Sequence, residues 1–136
     1  MKIVTLPVEE FTTPDPIMIT LDTALDEIMM LMAGSGVRHL PVVGEGKVVG
    51  IISERDRRLY SSLSDAEKYQ VKAEDIMSPN PITVSKNMPL DEVAFLMSEK
   101  KVGSVIVVEN DDDQLFGIFT ATDALNALVE IIRKAK

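Results

Sequence analysis

The 136-residue chain has no cysteine and no tryptophan, one histidine, four Phe and two Tyr. Without cysteine there are no disulfides, no thiolate zinc sites and no thiol nucleophile. His39 as the only histidine leaves too few parts for a catalytic triad or a histidine-rich metal site. Basic charge is also short: 14 Lys and Arg stand against 22 Asp and Glu, a net charge of −8. That balance argues against sequence-independent nucleic-acid binding, which uses a basic surface to displace counterions from phosphate. The scarcity of aromatics argues equally against single-strand binding by base stacking. No run of 18 apolar residues and no basic-then-apolar start is present, so neither a membrane span nor a signal peptide is expected, and the expected location is the cytoplasm.

What the chain does contain is one passage written twice. Residues 8–43 slid onto 73–108 agree at 12 of 36 positions, including Pro14/Pro79, Pro16/Pro81, Ile17/Ile82, Leu25-Asp26-Glu27 against Leu90-Asp91-Glu92, and Val42-Val43 against Val107-Val108. The frame then slips by two residues at a turn and resumes with Gly50-Ile-Ile-Ser53-Glu-Arg-Asp56 against Gly117-Ile-Phe-Thr120-Ala-Thr-Asp123. Two copies do not make an open-ended solenoid. A half of about 60 residues buries too little surface to be comfortable alone, so a closed pair is expected.

Each copy reads as strand, helix, strand, strand, helix, an α/β (α+β) arrangement of two β-α-β-β-α units. Ile17–Ile19 and Ile82–Val84 are the short leading strands. Asp22 and Asn87 precede the apolar-periodic runs and suit helix N-caps, with Asp26-Glu27 and Asp91-Glu92 as acidic first turns. Gly34 and Gly36 give the first of these helices a left-handed stop, and Lys100-Lys101 give the second a cationic one. The β-branched runs Val37–Val43 and Val102–Val108, and then Lys47–Ile52 and Gln114–Phe119, read as strands. Second helices begin near Ser53 and Thr120 and run through Leu63 and Ile132. Ser64–Gln70 reads as a helical tail or short connector, and Met1–Pro7 as an extended segment. Residues 8–64 and 72–133 are the expected domains.

Gly-apolar-apolar-Ser/Thr-x-x-Asp recurs at both strand-to-helix junctions. The Ser53 or Thr120 hydroxyl and the N–H groups of a helix start suit a phosphate oxygen. The acceptor-only carboxylate of Asp56 or Asp123 suits the two hydroxyls of a ribose. The same spacing is equally a capping box with Asp at its last position, and the two roles are compatible. Arg55, Arg57 and Arg58 read either as a phosphate-side cluster or as an exposed helix face. Asp111-Asp112-Asp113 reads as a solvated turn, since three adjacent acids do not build a cage of six to eight oxygens. Met29, Met30, Met32 and Met97 lie at helical spacing and suit core or dimer packing.

Three stretches together resemble a tandem pair of cystathionine β-synthase (CBS) domains, a Bateman module: Ala73-Glu-Asp-Ile-Met-Ser-Pro-Asn-Pro81, Val37-Arg-His-Leu-Pro-Val-Val43 and Gly50-Ile-Ile-Ser-Glu-Arg-Asp56. The resemblance covers nearly the whole chain. It implies pseudo-twofold pairing of the units through their sheets and two clefts for adenosyl ligands such as AMP, ADP, ATP, S-adenosylmethionine or a dinucleotide. It further implies a sensor with no catalytic residues, no metal and no required cofactor, usually paired into a homodimer. Carried over by position, Asp56 and Asp123 would hold ribose. Ser53 and Thr120, with Arg38, His39 and Arg55, would lie on the phosphate side, His39 reading equally well as a structural strand residue. Ile17, Met18, Val37, Ile82, Thr83 and Val102 would meet the adenine. A scaffold with empty clefts is the alternative.

Overall fold

The structure, a computed structural model, describes residues 5–109 and 114–136, so Asp111–Asp113 lie outside the described residues. The chain forms two compact units. The N unit is Pro16–Pro81; the C unit joins Ile82–Lys136 to the residues up to Asp15.

In the N unit, β2 (Ile19–Thr20) leads to α1 (Leu25–Ser35), then to the antiparallel pair β3 (His39–Gly44) and β4 (Lys47–Ser53), and on to α2 (Glu54–Leu59). Two short helices, α3 (Asp65–Gln70) and α4 (Ala73–Ile76), and strand β5 (Ser78–Pro79) complete it. The sheet order is β2-β3-β4-β5, with β2 parallel to β3. In the C unit, a 3-10 helix (Val8–Phe11) and β1 (Thr13–Pro14) join β6 (Thr83–Ser85), α5 (Leu90–Lys100), β7 (Ser104–Val108), β8 (Leu115–Thr120) and α6 (Ala121–Lys134). Its order is β1-β8-β7-β6, with β6 parallel to β7.

The strand that opens each repeat is thus held in the unit built from the other repeat: Thr13–Pro14 pairs with β8, and Ser78–Pro79 pairs with β4. Gly117 and Gly50 face these strands. A Cβ on Gly117 would run into the Thr13 carbonyl oxygen, whereas one on Gly50 would meet the Met77 side chain. Between the prolines that follow, Asp15 and Asn80 take φ of 48° and 53°, a left-handed conformation that short polar side chains tolerate best.

Each unit has its own core. Leu25, Ile28 and Met32 place one helical stripe of α1 on Leu40, Val42 and Ile52; Val93 and Met97 of α5 pack with Val105, Val107 and Phe119. Full burial of such side chains stabilises the fold by about 1.5–3 kcal/mol each. Of the methionines at helical spacing, Met32 and Met97 are buried, Met29 is half-buried, and Met30 is exposed.

Two local expectations need correction. Asp22 and Asn87 are not N-caps: the helices begin three residues later, after Ala24 and Pro89, without a side-chain cap. Their first N–H groups donate instead to backbone carbonyls, Leu25 to Val71 (2.8 Å) and Leu90 to Leu6 (2.7 Å), so no side-chain acceptor is required. Asp22 accepts a hydrogen bond from the Thr20 hydroxyl at 2.6 Å, which holds its carboxyl below the ordinary Asp value. The second correction is that α2 ends at Leu59 and does not reach Leu63. A new capping box at Ser64 and Glu67 starts α3 there, so Ser64–Gln70 is helical but separate. The left-handed stops are Gly36 (φ 73°) and, at the equivalent place, Lys101 (φ 56°).

Candidate nucleotide sites at the strand-to-helix junctions

Both junctions are built alike. At the end of β4, the Asp56 N–H donates to Ser53 Oγ (3.2 Å), while Asp56 Oδ2 accepts from the Ser53 N–H (2.9 Å) and hydroxyl (3.0 Å). At the end of β8, Thr120 and Asp123 repeat these bonds at 3.2, 2.9 and 3.0 Å. These are capping boxes in the full sense, with both reciprocal bonds present. A further first-turn donor is taken by backbone: Glu54 N–H donates to the Arg38 carbonyl (2.7 Å) and Ala121 N–H to that of Gly103 (2.9 Å). The capping role of Ser53, Asp56, Thr120 and Asp123 is therefore a property of the fold. The two donors of Ser53, like the two of Thr120, converge on one carboxylate oxygen, Oδ2, and the other oxygen takes no part in the box. A carboxylate has about four lone-pair sites, so the box does not exhaust its accepting capacity. Both aspartates are half-buried.

The surroundings differ. His39 sits opposite Ser53 across the β3–β4 ladder, so the half-buried ring and the hydroxyl share one end of the sheet. Arg38 and Arg55, both exposed, flank the same junction. Arg57, which sequence reasoning grouped with them, is held by Glu54 at 2.6 Å, and that hydrogen bond keeps the Glu54 carboxyl below the ordinary Glu value. In the C unit, Ser104 faces Thr120 across the ladder where His39 faces Ser53, and Gly103 and Thr122 stand at the places of Arg38 and Arg55.

Of the residues assigned to adenine, Ile17, Met18 and Ile82 lead into β2 and β6, Thr83 opens β6, and Val37 and Val102 precede β3 and β7. Ile17 and Met18 are exposed, Thr83 is exposed, and Ile82, Val37 and Val102 are half-buried. Here the copies part for a reason legible in the sequence but not drawn from it. In the C unit Ile106 N–H donates to the Ile82 carbonyl at 2.8 Å and the ladder begins at Thr83. The N unit carries Pro41 at the place of Ile106. Proline has no N–H, and its ladder begins only at Ile19. The Ile17–Met18 backbone is thereby left outside the β2–β3 pairing. Among the described residues, no three His, Asp or Glu side chains cluster so as to hold a metal ion, and no helix is long and apolar enough to cross a membrane.

Two units, each a four-stranded mixed sheet with helices and a capping box at its last strand-to-helix junction, define a duplicated two-unit module. The family model for the CBS domain matches residues 8–60 and 73–130, and the chain belongs to the CBS domain family as a tandem pair. A CBS domain-containing protein of Dictyostelium discoideum is 32% identical over 124 residues, covering 84% of this chain and 85% of that protein. Other curated relatives are longer, the chain spanning 22–44% of them. Among solved structures, the CBS domain pair of protein MJ0100 in complex with 5-methylthioadenosine and S-adenosyl-L-methionine superposes with a TM-score of 0.80 at 28% identity, covering 94% of this chain and 99% of that one. CBSX2 in complex with AMP gives 0.74 at 26% identity, covering 92% and 97%; CBSX2 is an Arabidopsis thaliana protein.

Proposed function

We propose that the chain is a regulatory sensor that binds an adenosyl ligand at its strand-to-helix junctions and passes its occupancy to a partner protein, without catalysing a reaction itself. The observation that carries this reading is the likeness, over nearly the full length of both chains, to a CBS pair crystallised with two adenosyl compounds. The duplicated boxes supply a matching pair of polar anchors. In this reading Asp56 and Asp123 take the ribose hydroxyls. Ser53 and Thr120, with Arg38, His39 and Arg55, face the phosphate side, and Ile17, Met18, Val37, Ile82, Thr83 and Val102 surround the adenine. The sensor works in the cytoplasm as a homodimer, its two domains being residues 8–64 and 72–133.

The two junctions differ in ligand. Arg38, His39 and Arg55 make the N-unit site the one for an anionic nucleotide, whereas the C-unit site, without those cations, favours an adenosyl compound of little negative charge. Signalling then requires that the ligand bind two arrangements of the protein with unequal affinity, since equal affinity shifts nothing.

A thermal-shift screen with AMP, ADP, ATP, S-adenosylmethionine, NADH and GTP tests the proposal. Ligand at 100 times its dissociation constant adds about 2.7 kcal/mol, a rise of several degrees for a chain of this size. At least one adenosyl compound should produce that rise and GTP should not. If none does, the clefts are empty in function and the scaffold reading takes its place.

A further inference from the structure

The parallel ladders of the two copies differ by one rung, and a single residue accounts for it. β6 pairs with β7 at Thr83 with Ile106, Val84 with Val107 and Ser85 with Val108. β2 pairs with β3 only at Ile19 with Val42 and Thr20 with Val43. The rung that is missing would join Met18 to Pro41. In the C unit its bond runs from the Ile106 N–H to the Ile82 carbonyl at 2.8 Å. Pro41 has no N–H to give, and its ring lies where that hydrogen would point. Among the described residues no donor reaches the Ile17 carbonyl.

Pro41 is fully buried on an interior strand, between β2 and β4, where a proline is ordinarily excluded because it cannot donate to a neighbour. The sheet tolerates it because, by the pattern of Ile106, the lost donor would face a rung that β2 does not reach. A backbone carbonyl is an obligatory acceptor, so the one at Ile17 is left for water or for a ligand. Beside it the Ile17 and Met18 side chains are 38 and 50% exposed, an apolar surface next to a polar atom in want of a donor. Against a base, such an acceptor selects by donor pattern. The exocyclic amino group of adenine is a donor, whereas the ring carbonyl that guanine carries at that place is an acceptor and sets oxygen against oxygen. The Ile82 carbonyl already has its donor, and the ladder bond holds it turned toward β7.

We propose that Pro41 makes the N unit the half of the protein that reads the base: by leaving the Ile17 carbonyl unpaired, it gives that unit an acceptor for a purine's exocyclic amino group that the C unit does not offer. The inference rests on the adenosyl-ligand reading above and adds which unit discriminates and through which atom. Pro41 itself is a positioning residue, acting through Ile17.

The probes are AMP and purine riboside monophosphate, the same nucleotide with hydrogen in place of the amino group. By titration calorimetry on the full chain, AMP should bind roughly 3- to 10-fold more tightly than the analogue, the worth of one hydrogen bond to an uncharged acceptor. Pro41→Val and the smaller Pro41→Ala both restore an N–H. In each the preference for AMP should vanish while the affinity for purine riboside monophosphate stays at the parent's, whereas damaged packing would weaken both nucleotides alike. Ile106→Val, which keeps its N–H, should leave the preference unchanged. Hydrogen exchange should find the new amide at position 41 protected as that of Ile106 is. Equal binding of the two nucleotides by the parent, a preference that survives both Pro41 variants, or an unprotected amide at position 41 would each overturn the proposal and leave the adenosyl reading standing. No binding of AMP or of any other adenosyl compound would bring down that reading and this inference with it.

Discussion

Replacing Asp123 with alanine separates the two jobs assigned to that carboxylate. In the structure its Oδ2 accepts two hydrogen bonds, both from Thr120, and its N–H donates the third bond of the box. Losing the carboxylate strands the Thr120 N–H at the start of α6 and removes a negative charge from the positive end of a 14-residue helix. Losing a cap costs about 1 kcal/mol, and the half-buried charge-assisted bonds bring the expected loss to about 1–2 kcal/mol, a fall in thermal midpoint of roughly 3–7 °C. Asp123→Asn keeps an acceptor oxygen for the Thr120 N–H and should recover most of that fall. Because both donors belong to one residue, Thr120→Ala and Asp123→Ala should cost much less together than the sum of their separate effects. Affinity behaves differently. If the carboxylate also holds the ribose, Asp123→Ala loses a further 1.5–3 kcal/mol of binding, roughly a 10- to 150-fold weaker dissociation constant for the ligand at that junction, and Asp123→Asn recovers little of it. Scanning calorimetry reads the first effect and titration calorimetry the second. A midpoint that falls while the binding isotherms for AMP and S-adenosylmethionine match the parent's would refute the ribose role and leave a helix cap alone.

Two further outcomes follow from the packing and the charges. Gly117→Ala should destabilise the fold by about 2–3 kcal/mol, since its methyl group meets the Thr13 backbone, while Gly50→Ala should cost clearly less because the Met77 side chain can turn away; equal losses in urea denaturation would contradict this difference. The Glu67 carboxyl is held below the ordinary Glu value by the Ser64 N–H and then by the Ser64 hydroxyl. A depressed folded value contributes stability that is fully present above the unfolded pKa, roughly 4.3, and is lost as pH falls through the lower folded value. The thermal midpoint of Glu67→Gln should therefore vary less than the parent's as pH drops from about 5 to 3; parallel curves would show that the Ser64–Glu67 box contributes nothing.

Much of this protein is written locally. The 65-residue repeat, the β-branched strands, the apolar stripe of α1 and the Ser53-x-x-Asp56 and Thr120-x-x-Asp123 boxes depend on residues within one or two turns of each other, and alternation, periodicity and capping chemistry expose them in one dimension. The box spacing could not say whether cap or ligand site was meant, because the same donors and acceptors serve both. Pro41 was visible throughout, but its effect on the Ile17 backbone appears only once β2 is laid beside β3. Asp22 and Asn87 failed as caps for the same kind of reason. The first N–H groups of α1 and α5 are met by carbonyls of Val71 and Leu6, residues dozens of positions away that no local pattern brings near. The exchange of opening strands is likewise a tertiary decision, since a two-residue strand such as Thr13–Pro14 has too little sequence to choose its partner. What selects it is the side-chain-free surface of Gly117 on β8, a vacancy that exists only when the sheet has formed.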